Sequence, residues 1–539
     1  MKTIPREYDK NITVPEALFY GFFLLLSLTK GLGFYEGQKV FILLTTVALL
    51  LGFLKLFVTP YTKRQAVVQI LLLLITAVMY ASSREIAVLF VAFTVMGMKG
   101  ISVKKIFHIA LWVWASCAVV LSVFSFFRLE HTVYRVHAKM GLGHIFRWSL
   151  GFTHPNILHI TYLMLCALII WELGERYGFK QYLILMTGNF LVFFYSISYT
   201  GFGIVLVLLT GCLYLRFRPK FGLLEKTAAN LVLPVCLILS FVLPYYINGY
   251  GMFSRLIQKL NFMLNTRIWL AEQFLKGGYG SLFGRDVSQV ISSSMNLDNS
   301  YVWCYIHFGL IPTAIILGGY FALLFYDTHK QRTRELVILV CFLGAGWTEQ
   351  LLFNTSFKNI TLLFLGAFLF SPKEGEKEYC LFPRLCERRV TIPLAGLPDR
   401  LAMAVRMAYL SHRGRIWGAV AGGALLGILL CAFVYREPEG YVVQRFYTDA
   451  LEETSVYLES EDDPAYEGFK VMNYVDADTR MQLVTGKAVK LETMRYYVGS
   501  ALIGALSGAV AGIGWTLRRF GKKSAVAVTE IAGYDQSEK

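Results

Sequence analysis

Several short stretches of this chain hold side chains suited to moving a proton or holding an anion. In Gly151-Phe152-Thr153-His154-Pro155-Asn156 the proline marks a helix start, whose free amide groups face outward and attract anions. His154 and Asn156 therefore read either as positioning residues for a ligand or as ordinary caps. Asp298, followed by Asn299, Ser300 and Tyr301, stands where a loop enters an apolar run, and can serve as a general base toward a hydroxyl or as a helix N-cap. Glu349, in Trp347-Thr348-Glu349-Gln350, is a charge close to membrane depth, which marks function or a partner unless the run simply ends in water there. Arg267 adds a permanent cation in a long polar segment.

The elements that must position these residues are membrane helices. A chain of 539 residues that is 56% hydrophobic and 16% charged, with a mean hydropathy of +0.52, is not a soluble globular protein. About fourteen apolar runs have the length of membrane spans. They fall near 16–34, 39–58, 66–82, 84–98, 106–127, 155–173, 181–196, 198–215, 228–246, 301–326, 335–352, 357–371, 415–434 and 496–516. Lysine and arginine collect in alternate loops, as at Lys63 and Arg64, Lys104 and Lys105, and Arg216 and Arg218, which predicts both termini inside. The net charge of +16 is then mostly topological, and no nucleic-acid partner is expected. No cleavable leader is read, so the first run should remain as an anchor.

The same parity puts two long segments outside. One, 247–300, far exceeds the length needed to join two spans and is the expected seat of function. The other, 128–154, carries Arg128, Arg135, Lys139 and Arg147 against the charge rule. An anionic ligand at the outer face explains this, as does contact with anionic headgroups. The nine cysteines lie in spans or in the predicted cytoplasmic connector, so no disulfide framework follows.

By composition the chain divides into a core of about twelve spans, 1–372; a basic cytoplasmic connector, 373–414; a two-span appendage, 415–516, with an exterior segment at 436–495; and a tail, 517–539. Gly418 and Gly422, and Gly504, Gly508 and Gly512, are spaced for close packing of the two appended spans. In the connector, a helix is expected from Pro398 and Asp399 onward. Asp476-Ala477-Asp478 has the spacing with which sugar-nucleotide transferases hold a metal, but it faces away from the compartment that holds sugar nucleotides, and no metal or other cofactor is expected.

Taken in order, the Gly151–Asn156 stretch, Ser198-Tyr199-Thr200-Gly201, Asn265-Thr266-Arg267-Ile268-Trp269 and Leu297-Asp298-Asn299-Ser300-Tyr301, with Phe308-Gly309-Leu310-Ile311 after them, resemble the O-antigen ligase and polymerase superfamily. The chain is most similar to polysaccharide repeat-unit polymerases of the Wzy type. The resemblance implies an all-α polytopic membrane protein with a GT-C-like glycosyltransferase core at the plasma membrane. It implies metal-independent polymerisation of polyprenyl-pyrophosphate-linked oligosaccharide at the outer face, with membrane lipid and chain-length regulators or other envelope-assembly proteins as partners.

Under that resemblance Arg267 would hold the leaving pyrophosphate and Asp298 would take the acceptor's proton. His154, Asn156, Asn299, Tyr301 and Glu349 would position substrate. Many family members have an arginine where Tyr199 stands. Tyr199 would donate a hydrogen bond or stack on a sugar, with Arg135 or Arg147 supplying the cation. A ligase that transfers finished polysaccharide shares the fold and donor, although Asp298 stands where related ligases carry histidine. A lipid-linked oligosaccharide flippase is the alternative from another class, but repeated halves with charged midplane spans are not seen.

Overall fold

The computed structural model describes residues 11–127, 134–139, 143–287, 297–372, 375–391, 397–444, 455–456, 469–472, 481–484 and 486–534. The described structure is 75% helical, with 19 α-helices and only short strands among the described residues. Among those residues, eight helices are long and apolar enough to cross a membrane: Lys39–Phe57, Lys63–Ser83, Val103–Phe127, Pro155–Arg176, Leu223–Phe241, Leu310–Lys330, Arg413–Val434 and Lys487–Arg519. Ala87–Gly97 and Tyr199–Tyr214 are apolar but shorter. Every apolar run predicted from the sequence overlaps a helix, two in the case of 301–326, because a backbone denied water must satisfy its polar groups within the segment.

Two compact units form. Among the described residues, the larger comprises Asn11–Leu121 and Pro155–Thr391, and the smaller those within 122–154 and 397–534. This differs from the division by composition in two places. Part of the connector joins the larger unit through strand pairing, Arg389–Thr391 against Asn11–Thr13 and Glu378–Tyr379 against Tyr61–Thr62. The 128–154 segment groups instead with the appendage.

In the larger unit the core is aromatic and aliphatic, with Phe19, Phe22, Phe107, Trp114 and Tyr320 all fully buried. The segment 247–300 is no bare loop: it folds into helices Met252–Met263 and Arg267–Lys276. Beyond it, the run predicted at 301–326 is two helices, Ser300–Phe308 and Leu310–Lys330. They break at Gly309, where φ is +91° and a side chain would strike the backbone at Leu282 to Gly284. Freed helix amides at the break are taken up by the long segment, Leu310 N–H donating to Ser281 O at 2.8 Å and Ile311 N–H to Leu282 O at 3.1 Å. Glycine is required there for conformation and for space.

In the smaller unit, Tyr134–Lys139 and Gly143–Trp148 pair as an antiparallel hairpin. Trp148 Nε1 donates to Glu492 at 2.7 Å, and Arg495 donates to Phe146 O at 2.8 Å and to Glu492 at 2.5 Å, all buried. The appended helices Arg413–Val434 and Lys487–Tyr534 pack together, but the glycines that meet differ in part from the expected set. Gly504 faces Gly423, Gly508 faces Ala419, and Gly427 faces Ser500, with no room for a Cβ, whereas Gly418 and Gly422 meet nothing. The predicted connector helix is present at Leu397–Ser411. Among the described residues, part of 436–495 forms a four-stranded sheet, and the helix Lys487–Tyr534 begins at its end.

Candidate functional site

Four of the motifs singled out in the sequence, together with Glu349, meet at one cluster in the larger unit. The corner that delivers Arg267 is strained: Asn265 and Thr266 both have positive φ, 56° and 62°, a region that a β-branched residue rarely enters. Asn261 holds the corner, its carbonyl accepting from Thr266 N–H at 2.9 Å and its side chain from Trp269 N–H at 3.0 Å. Arg267 is thereby the first residue of its helix and is turned inward, 9% exposed.

Its guanidinium spans two carboxylates and a hydroxyl. Nε donates to Asp298 Oδ2 at 3.2 Å, Nη2 to Glu349 Oε1 at 2.8 Å and Nη1 to Thr200 Oγ1 at 3.4 Å. Those three bonds leave two of the five N–H donors of an arginine uncommitted among the described residues. Burial opposes its charge, but Glu349 and then Asp298 outweigh burial and hold the guanidinium above its ordinary pKa.

Glu349 is the anchor of the cluster. Only 3% exposed, it accepts from Arg267, from Thr200 Oγ1 at 2.6 Å, and from Asn156 Nδ2 at 3.3 Å to each oxygen. A buried carboxylate needs this many donors to remain in place. Asn156 is the second residue of the helix Pro155–Leu173, so the expected helix start at Pro155 is where its side chain enters the site. Thr200 is set by the start of the helix Tyr199–Tyr214. Beneath it Gly201 lies on the ring of His159 with no space for a side chain, and His159 bonds Asn189 at 2.8 Å and Ser196 at 3.1 Å.

Asp298 is the exposed member, with 35% of its side chain open. The helix that follows is capped by its neighbour: Asn299 Oδ1 accepts from Tyr301 N–H at 3.0 Å and Val302 N–H at 3.1 Å. Asn299 is the cap, and its Nδ2 is spent on Ser240 at 3.0 Å. Ser300 ties this helix to the Glu349 segment, donating to Glu349 O at 2.7 Å and accepting from Leu351 N–H at 3.0 Å.

Three expectations for this unit change. Asn299 is buried and committed to capping, so it positions the motif, not a substrate. Tyr301 is fully buried with its hydroxyl on Leu343 O at 2.6 Å, and presents nothing to a ligand. Tyr199 is half exposed, edge-on to Phe193, while its neighbour Thr200 supplies the group that enters the cluster. Sequence reasoning missed Thr200 and Ser300 as site residues. Both lie inside motifs it had quoted, but a lone hydroxyl gives no signal beside a tyrosine or a carboxylate.

The remaining candidates belong to the smaller unit. Arg147 is buried in the strand Gly143–Trp148, not displayed as an open basic surface. Arg135 pairs with it in register across the hairpin, and His154 is half-buried at the unit's boundary. Among the described residues no group of three or more His, Cys, Asp and Glu side chains could hold a metal ion. Asp476 and Asp478 lie outside the described residues, as do Arg128 and residues 288–296.

Set against family models, curated proteins and solved structures, the chain matches none of them.

Proposed function

We propose that this multi-pass membrane protein is a glycosyltransferase that polymerises lipid-pyrophosphate-linked oligosaccharide repeat units at the outer face of the plasma membrane. Its core of about twelve spans would carry the chemistry, with both termini inside by the charge bias of the loops. One observation carries the reading: Asn156, Thr200, Arg267, Asp298 and Glu349, up to 193 residues apart in sequence, share one continuous set of hydrogen bonds. Segments whose only prior link was order along the chain supply complementary parts of one site.

The chemistry divides among them as follows. The acceptor hydroxyl oxygen attacks the anomeric carbon of the donor sugar, and the bond from that carbon to the pyrophosphate oxygen breaks. The bonding electrons leave with the pyrophosphate, and the hydroxyl proton passes to Asp298, the accessible carboxylate. Arg267 steadies the departing oxygen with its two uncommitted N–H groups. Glu349, Thr200 and Asn156 hold Arg267 in the required plane, which is how a preorganised cation avoids rearranging during the reaction.

The test is reconstitution. Purified protein in proteoliposomes, given a polyprenyl-pyrophosphate-linked oligosaccharide on the accessible face, should produce a ladder of lengthened chains and release lipid pyrophosphate. Movement of the lipid between leaflets with no new glycosidic bond would replace this reading with that of a flippase. Transfer of pre-formed polymer to a different acceptor, without elongation, would make it a ligase.

A further inference from the structure

A second site is marked by a buried lysine, Lys358, that has no ion-pair partner among the described residues. The helix Thr361–Leu369 has 9 residues, about 13 Å at ~1.5 Å per residue, less than half of a hydrocarbon core of roughly 30 Å. Its C-terminal end is level with the start of the helix Lys63–Ser83, because Gln65 Nε2 donates to Phe370 O at 3.1 Å. Ahead of its N-terminal end, residues 349–360 are irregular backbone. Such backbone is tolerated at depth where protein encloses it or where it lines a polar cavity.

Lys358 lies in that stretch, just ahead of the half-helix. It is 3% exposed, its Nζ stands 5.0 Å above the ring of Trp114, and its hydrogen bond to Ser356 O is long at 3.4 Å. An ammonium has three donors, and among the described residues no carboxylate comes within ion-pair distance of this one. The charge that acts on it is another cation, Lys30, which stands 4.8 Å over Phe41. Trp114 also borders Gly31, so Lys30 and Lys358 share a wall. Phe357 holds a positive φ of 57° with its ring fixed against Phe22, Phe23 and Phe90, which presents Lys358 inward at the expense of local strain.

Lys358 is buried and Lys30 half-buried, with only Lys30 acted on by a carboxylate, Glu36, so a negative group between the two ammonium groups would offset their repulsion. The first amides of the half-helix are already committed, Thr361 N–H to Asn359 Oδ1 at 3.1 Å and Leu362 and Leu363 N–H to backbone oxygens. The helix dipole adds field, and the ammonium groups would make the contacts. Their several donors match a group with several acceptor oxygens better than a single-atom ion.

We propose that Lys358 and Lys30 form an oxyanion site, separate from the Arg267 cluster, that takes a phosphate-type group borne by a lipid headgroup or by a free anion. This site stands on its own geometry and does not depend on the glycosyl-transfer reading.

The full chain, purified and delipidated, would be unfolded thermally with inorganic pyrophosphate or with sodium chloride at equal ionic strength, and in nanodiscs of phosphatidylcholine with or without phosphatidylglycerol. The wild-type midpoint should rise by several degrees with pyrophosphate, with phosphatidylglycerol, or with both, and which of them acts identifies the source. Lys358→Met should lose most of that rise, yet match or exceed the wild type without anion, since it removes a charge left uncompensated. Lys30→Met, at the more exposed position, should lose the rise too and reads the same contrast independently, Lys358→Arg should keep it, and Lys259→Met, at an exposed lysine, should respond as the wild type. Absence of any wild-type response to either anion, or a full response in both Lys358→Met and Lys30→Met, would overturn the site.

Discussion

Replacing Asp298 by asparagine separates its chemistry from its structural role. The carboxylate is 35% exposed and makes one ion pair, to Arg267 Nε at 3.2 Å. One partner is 35% exposed and the other keeps its pair with Glu349 when this one is lost, so the pair contributes about 1 kcal/mol. Asparagine keeps an oxygen that can accept the same bond, so Asp298→Asn should leave unfolding almost unchanged, and Asp298→Ala should cost little more. The capping role belongs to Asn299, whose two backbone bonds are lost in Asn299→Ala at about 1 kcal/mol, within a range of roughly 0.5–2. Activity should order the other way. Loss of a general base lowers turnover by about 10²–10⁴, or about 3–5 kcal/mol in the barrier. The assay is the initial rate of linkage formation in proteoliposomes, beside the thermal midpoint of each variant. Asp298→Asn turning over within about threefold of wild type, far short of the loss a base implies, would refute the base assignment. Asp298→Ala unfolding as readily as Asn299→Ala would refute the structural half of the reasoning.

Arg267→Lys should abolish most linkage formation at normal expression, because one ammonium cannot reach Asp298, Thr200 and Glu349 together; wild-type polymer from this variant would make Arg267 a structural charge only. Arg267→Ala should also lower stability, by about 3–5 kcal/mol, through the unpaired buried Glu349, visible as a lower unfolding midpoint in detergent. Lys259→Cys, at an exposed site on the helix Met252–Met263, should react with a membrane-impermeant thiol reagent in intact cells, and labelling only after lysis would reverse the topology. Gly504→Leu should force the two appended helices apart, since a side chain there meets the Gly423 backbone, and should abolish cross-linking between cysteines placed at their contact while linkage formation by the core persists.

Membrane character, the position of each apolar helix and the motifs that carry the site could all be read from the sequence. Each is a local property: apolar run length sets a crossing, and Pro155 or Asn299 caps the residues that follow it. Arg267, Asp298 and Glu349 could be named singly, because buried or membrane-adjacent charge is rare enough to stand out, and Asn156 because it follows the helix start at Pro155. Their mutual arrangement could not be read, since pairing across as many as 193 residues depends on how helices pack. Only the tertiary structure showed that Thr200 and not Tyr199 enters the cluster, and that Tyr301 is sealed in the core. A single hydroxyl or ring carries no sequence signal for the direction it faces, because a shift of one residue around a helix start decides it. The same holds for Gly423 and Gly427, which pack where Gly418 and Gly422 were expected. Glycine spacing states that a helix can be approached closely, but the rotation that selects one stripe over its neighbour is settled by the partner helix.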